Sequence, residues 1–319
     1  MALPHIIIIS PALANANNGN WQTAQRWARF LRTHYRVTLA AHWQGASCDA
    51  LIALHARRSA LSIAAFAAAC PASPLLVVLT GTDLYRDIGS DAEAQRSLQL
   101  ATRLVVLQPA GMQELSPTWR SKTCVIYQSA PALKPIRKSA RHFDVIMIGH
   151  LRDEKDPTTF MRAAAQVRSI HVRMIHVGSA LDPMLGAQAQ ATQAAHPRYR
   201  WLGNLPHAAT RQRLKRCHLM VITSKMEGGA NVIIEAITSG VPVLASDISG
   251  NRGMLGEDYE GYFPLGDSVK LAAAIDRAAT DAKFYARLQQ QCAGRKSLFV
   301  PQREQAALLQ LMNDVIKEF

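Results

Sequence analysis

Between residues 5 and 245 the chain switches repeatedly between short aliphatic runs and amphipathic stretches, and few folds accept that order. The runs read as strands at 5–10, 36–41, 50–54, 75–80, 103–107 and 124–128, then at 143–149, 171–177, 199–202, 218–223 and 241–245. Between them the spacing is helical: in 19–34, GNWQTAQRWARFLRTH, residues Trp21, Ala24, Ala28 and Leu31 share one face while Arg26, Arg29 and Arg32 share another. Strands that alternate with helices form parallel sheets covered on both faces, so the expected class is α/β with doubly wound, Rossmann-like domains. A chain of 319 residues exceeds one small core and fits two. The alternation pauses at 131–142, PALKPIRKSARH, which is rich in proline and positive charge and reads as a linker. The expected division is a first domain over 1–135, a second over 136–300, and a closing helix over 301–319. That helix opens with Pro301 and is expected to pack back toward the first domain. Doubly wound sheets bind ligands at strand C-termini, and the linker is expected to set the two crevices face to face across a cleft.

Composition narrows the partners. Hydrophobic residues are 49% and charged residues 18%, which fits a well-buried globular protein. The longest aliphatic run, Ile6–Ile9, falls far short of the roughly 18–20 residues that span a bilayer, and it lacks the basic flank of a signal peptide. No stable membrane insertion is expected. The five cysteines are scattered and form no Cys-x-x-Cys pair, as suits a reducing cytoplasm. Of the eleven histidines none falls in a ligand cluster; His171 and His176, five apart on one predicted strand, point to opposite faces. No protein-ligated metal is expected. The net charge of +13 calls for an anionic partner or an ordinary solvated surface. The basic residues form no long block and are not interleaved with stacking aromatics, which argues against nucleic acid.

The chemistry concentrates in Met226–Gly240, MEGGANVIIEAITSG, where two carboxylates stand among apolar residues. HLMVITS before it reads as a strand, so Lys225–Ala230 is the loop at that strand's C-terminal end. Residues 231–239 then read as a helix, with Asn231 as its cap and Gly240 at its exit. Gly228 and Gly229 let backbone amides approach a ligand, and the helix start favours an anion, so a phosphate belongs near this step. Ionised Glu227 and Glu235 only accept hydrogen bonds, which suits hydroxyls on either side of it. Phosphate between two sets of vicinal hydroxyls describes a nucleotide sugar. A plain helix start with a carboxylate complementing its dipole is the other reading of these residues alone.

SKMEGGANVIIEAITSGVPVLAS resembles the Glu-x7-Glu signature of the retaining glycosyltransferases of GT-B fold, in the large group 4 family. The resemblance implies that Glu227 contacts hydroxyls of the transferred sugar and that Glu235 binds the nucleotide ribose. IGHLRDEKDP, at 148–157, is similar to the family's Gly-Arg-Leu-x-x-Glu-Lys-Gly loop, which neutralises the donor diphosphate. Lys155 holds the lysine position; His150 stands where the family has arginine, and Arg152 offers a guanidinium two residues on. The implied catalytic set is Glu227, Lys155 and Arg152, and the implied donor contacts are Gly149, His150, Gly228, Gly229, Ala230, Asn231 and Glu235. The first domain departs further. NANNGNWQTA replaces a glycine-rich acceptor loop and offers Asn18, Gly19 and Asn20. LTGTDLYRD has Thr80 where relatives have histidine, and presents Thr82, Asp83 and Arg86. ALHARRSALS ends a strand at His55 and places Arg57 and Arg58 just beyond, a pocket for a small anion.

These departures, taken over nearly the whole chain, resemble the narrower family of selenosugar synthases of selenoneine biosynthesis. That resemblance implies a UDP-sugar donor (UDP-N-acetylglucosamine or UDP-glucose), selenophosphate as acceptor, no cofactor, and functional coupling to enzymes that make selenophosphate and consume the selenosugar. The rivals are a glycosyltransferase acting on lipid or polysaccharide at a membrane surface, and a basic protein that keeps the fold only to bind nucleotide or nucleic acid.

Overall fold

The computed structural model describes residues 3–11 and 19–318. The chain forms two compact units. The first takes in the chain up to Ser129, residues Glu227–Gly229, and Pro301 onward; the second takes in Ala130–Met226 and Ala230–Val300.

The first unit is built on a six-stranded sheet of order β2-β1-β3-β4-β5-β6. Its strands are β1 (His5–Ile9), β2 (Arg36–Ala40), β3 (Ala50–Leu54), β4 (Leu75–Leu79), β5 (Arg103–Val106) and β6 (Thr123–Val125). All pairings are parallel. The aliphatic runs of β1, β3, β4 and β5 are continuous because these strands are buried on both faces, whereas the edge strands β2 and β6 stay partly exposed. Ile6 and Ile8 pack with Trp27, Leu31, Leu308 and Met312, whereas Ile7 and Ile9 pack with Ile63, Phe66 and Leu98. The first layer therefore joins the helix Gly19–Leu31 to the closing helix Pro301–Lys317. A buried carboxylate ties these together: Glu304 accepts from Arg26 Nε at 2.7 Å, Trp27 Nε1 at 2.7 Å and Ser129 Oγ at 2.5 Å.

The second unit has a six-stranded parallel sheet of order β12-β11-β10-β7-β8-β9. Its strands are β7 (Phe143–Ile148), β8 (Val172–Val177), β9 (Tyr199–Trp201), β10 (Leu219–Ile222), β11 (Val243–Ser246) and β12 (Tyr262–Phe263). The order reverses direction between β7 and β10, and such a reversal opens a crevice at the strand C-termini. Two expectations change. The edge strand β12 is only two residues long, too short to give a pattern between Gly261 and Pro264. The histidine pair is not on opposite faces of one strand: β8 starts at Val172, so exposed His171 precedes it, while His176 is buried.

Candidate active site

In the second unit the two loops that leave β7 and β10 stand at the sheet's switch point. The first begins at Gly149, whose amide donates to Val177 O at 2.9 Å. A Cβ on Gly178 would lie 1.9 Å from the Gly149 carbonyl oxygen, so only glycine allows β8 to end so close to this loop. Beneath it His176 is fully buried: Nε2 donates to Gly149 O at 3.3 Å and Nδ1 accepts from Tyr199 OH at 2.9 Å. Burial pushes its pKa down to about 4, so the ring is neutral at physiological pH and can serve both contacts. His150 Nδ1 accepts from Ser179 N at 3.0 Å, which orients that ring too.

The loop then turns through Asp153–Lys155. Lys155 O accepts from Thr223 Oγ1 at 2.8 Å, and Glu154 O accepts from Lys225 N at 2.9 Å, which bind the β7 loop to the β10 loop. Arg152 lies 3.9 Å from Glu154, and its Nε is buried without a hydrogen-bond partner. Asp156 holds a left-handed conformation, φ 42°, and caps the helix Pro157–Gln166 by accepting from Thr159 N and Oγ1.

After β10, Ala230 rather than Asn231 is the residue preceding the helix Asn231–Thr238. Asn231 is therefore the first helical residue and not the expected cap. No side-chain hydrogen bond caps this helix; Ile233 N donates to Ala230 O at 2.8 Å, and the Asn231 and Val232 amides at its start keep their affinity for an anion. Glu235, one turn in, is 8% exposed and bonds His207 Nε2 through Oε1 at 2.5 Å. Nothing in the local sequence pattern of either residue signals this pair.

In the first unit, Glu227–Gly229 are held against the ends of β4, β5 and the segment after β6. A Cβ on Gly228 would lie 2.3 Å from Thr80 O, and one on Gly229 would lie 2.6 Å from Leu107 Cβ. The Gly-Gly step is thus required by close approach. Glu227 is 8% exposed.

The residues after β3 and β4 form a dense polar cluster. His55 has φ 71°, a left-handed conformation costly for a residue with a Cβ, and is 2% exposed. Arg58 N donates to His55 Nδ1 at 3.3 Å, which leaves the ring proton on Nε2 to be donated to Thr82 Oγ1 at 2.9 Å. Burial lowers the His55 pKa against the opposing pull of Asp83. Asp83 is fully buried and spends its oxygens internally: Oδ1 accepts from Thr80 N and Gly81 N, and Oδ2 from Ala56 N, each at 2.9 Å. Arg57 pairs with Asp91 at 2.9 Å, and Arg86 with Asp87 at 3.0 Å. Arg58 is exposed and enters no ion pair among the described residues. Gly19 and Asn20 begin the helix Gly19–Leu31, where Gly19 O accepts from Thr23 Oγ1 at 2.8 Å. Asn18 lies outside the described residues.

Among the described residues no group of three or more His, Cys, Asp or Glu is placed to hold a metal ion, and no helix is long and apolar enough to cross a membrane.

Several solved structures share this architecture over nearly their whole length. HepE from Anabaena, solved with UDP and glucose, is 18% identical, with 98% of this chain and 99% of that one aligned at a TM-score of 0.78. Sucrose-phosphate synthase from Thermosynechococcus elongatus is 16% identical, with 99% and 100% aligned at 0.80. A glycosyltransferase from Rickettsia africae is 13% identical, with 100% of both chains aligned at 0.75. The two parallel six-stranded sheets are those of the GT-B fold. Residues 132–295, which carry the Gly149–Asp156 loop and both glutamates, match the family described as glycosyl transferases group 1. Both segments follow the C-terminal ends of the adjacent parallel strands β7 and β10, and the chain belongs to the glycosyl transferases group 1 family.

Proposed function

We propose that the protein joins selenium to carbon, transferring a sugar from UDP-N-acetylglucosamine or UDP-glucose to selenophosphate. The observation that carries the donor half is the uncapped helix Asn231–Thr238 behind the Gly228–Gly229 step, with Glu235 one turn in. It gives amides for a diphosphate and a carboxylate for a sugar diol. HepE, of the same fold, was solved with UDP-glucose. Lys155 and Arg152 offset the charge that develops as UDP leaves, and Arg152 Nε makes no hydrogen bond among the described residues. Contacts to charge that grows in the transition state act on turnover more than on binding. Gly149 and His150 lie at the start of the same loop, while Ala230 and Asn231 open the helix. Glu235 holds the ribose and Glu227 the hydroxyls of the transferred sugar.

The acceptor half rests on the chain-wide resemblance to selenosugar synthases and on Arg58, an exposed arginine after β3 that pairs with no carboxylate among the described residues. A selenium lone pair attacks the anomeric carbon, and the carbon–oxygen bond to the diphosphate breaks with its electrons leaving on UDP. Water then cleaves the selenium–phosphorus bond, releasing phosphate and a 1-selenosugar. Selenium is nucleophilic at neutral pH without a general base, which fits Thr80 where relatives carry histidine. Five free cysteines fit a reducing compartment, and we place the protein in the cytoplasm. There it would draw on an enzyme that makes selenophosphate and feed one that consumes the selenosugar.

Purified protein incubated with selenophosphate and each UDP-sugar, read by mass spectrometry, should form a 1-selenosugar, UDP and phosphate. Donor consumed only when a lipid or polysaccharide acceptor is added would replace this acceptor assignment with the membrane-surface reading.

A further inference from the structure

One imidazole latches the loop after β3 to the loop after β4. His55 is 2% exposed and left-handed at φ 71°, a conformation kept only where neighbours impose it. Arg58 N, a backbone amide that can only donate, gives its hydrogen to Nδ1 at 3.3 Å. Asp83 Oδ2 stands 3.9 Å from Nδ1, beyond hydrogen-bond reach, and accepts from Ala56 N instead. Burial holds the ring neutral at pH 7 against the pull of Asp83 and Asp87, and Arg58 adds to that effect. Its single proton therefore lies on Nε2 and is donated to Thr82 Oγ1 at 2.9 Å.

The tautomer decides what Thr82 can do. With the proton on Nδ1, the Thr82 hydroxyl would spend its own hydrogen on Nε2. With the proton on Nε2, the oxygen accepts from the ring and its hydrogen is left for another partner. Thr82 makes no other side-chain hydrogen bond among the described residues. It precedes the helical turn Asp83–Asp87 without capping it, and it is half-buried rather than sealed. We infer that His55 is a positioning residue whose tautomer frees the Thr82 hydrogen to bind an oxygen of the anionic acceptor, with Arg58 supplying the charge. This rests on the proposed anionic acceptor. A ring with both nitrogens engaged has no lone pair for a substrate proton, so a hydroxyl acceptor, which needs a base, gains nothing from His55.

Kinetics with selenophosphate at saturating UDP-sugar, and NMR titration with inorganic phosphate, test it. Thr82→Val keeps the shape and removes the donor; it should raise KM for selenophosphate and Kd for phosphate by about tenfold. Thr82→Ser, which keeps the hydroxyl, should stay within about threefold of the wild type. Asparagine tolerates the left-handed backbone, and its side-chain oxygen can replace Nδ1 for Arg58 N, but nothing on it reaches Thr82. His55→Asn should weaken both anions by about three- to tenfold, and adding it to Thr82→Val should cost nothing more. A histidine that merely held the fold would add its full loss to that of Thr82→Val. Unchanged anion affinity in Thr82→Val, additive losses in the double variant, or a wild type that does not bind phosphate would overturn the inference. Phosphate affinity that follows Thr82 and His55 without glycosylation of selenophosphate would remove selenium from the proposed reaction and leave the anion site standing.

Discussion

Arg57 and Arg58 are adjacent in sequence and opposite in circumstance. Arg57 faces Asp91 and Asp87, whereas Arg58 pairs with no carboxylate among the described residues. Arg58→Ala should therefore raise KM for selenophosphate by about tenfold or more, the worth of one charge-assisted contact, with UDP affinity unchanged. Arg57→Ala should cost at most about 1 kcal/mol of stability, because its side chain is 51% exposed and its ion pair is solvent-screened. The reverse pattern in steady-state kinetics would exchange their roles. His176 makes a second residue-scale case. Its folded pKa of about 4 lies below the ordinary value of 6.5, so the unfolded chain binds the proton more readily between those values. Stability is then fully present above about pH 6.5 and falls as pH drops toward about 4, by about 3 kcal/mol in all. Urea midpoints at pH 7 and 4.5 should show this loss shrinking in His176→Gln; an unchanged pH dependence would remove His176 as its source.

At the scale of elements, central strands are legible because burial on both faces writes an uninterrupted aliphatic run, as at Ile6–Ile9 and Leu75–Leu79. Ends shifted by one to three residues: β6 stops at Val125 rather than 128, and β11 starts at Val243 because Pro242 cannot donate to the ladder. β12 escaped notice since two residues carry no period. The loops were legible as loops, and glycines at close approaches were legible as glycines, but not what they approach. Gly228→Ala must displace the Thr80 carbonyl 2.3 Å from the new methyl group, and neither backbone yields readily. Turnover should fall by tenfold or more, with a stability loss of about 1–3 kcal/mol. A Gly228→Ala variant with normal turnover would show the loop free to move.

For the molecule as a whole, the first unit depends on a carboxylate near the chain's end. Glu304 is buried and joins Arg26, Trp27 and Ser129, residues remote in sequence. Glu304→Ala strands a buried guanidinium and indole donor, and should cost about 3–5 kcal/mol by urea unfolding. A loss below about 1 kcal/mol would mean that Leu308, Met312 and Val315 anchor the helix unaided. What the amino-acid order determined alone was local and periodic: two sets of parallel strands, and two signature loops at strand ends. Those follow from side-chain alternation and backbone chemistry within a few residues. Which polar groups are already spent was decided only by folding: Asp83 by three amides, Arg57 by Asp91, Glu235 by His207. Hydrogen bonds to partners far along the chain leave no trace in local periodicity, and they separate a side chain that is merely present from one able to hold a substrate.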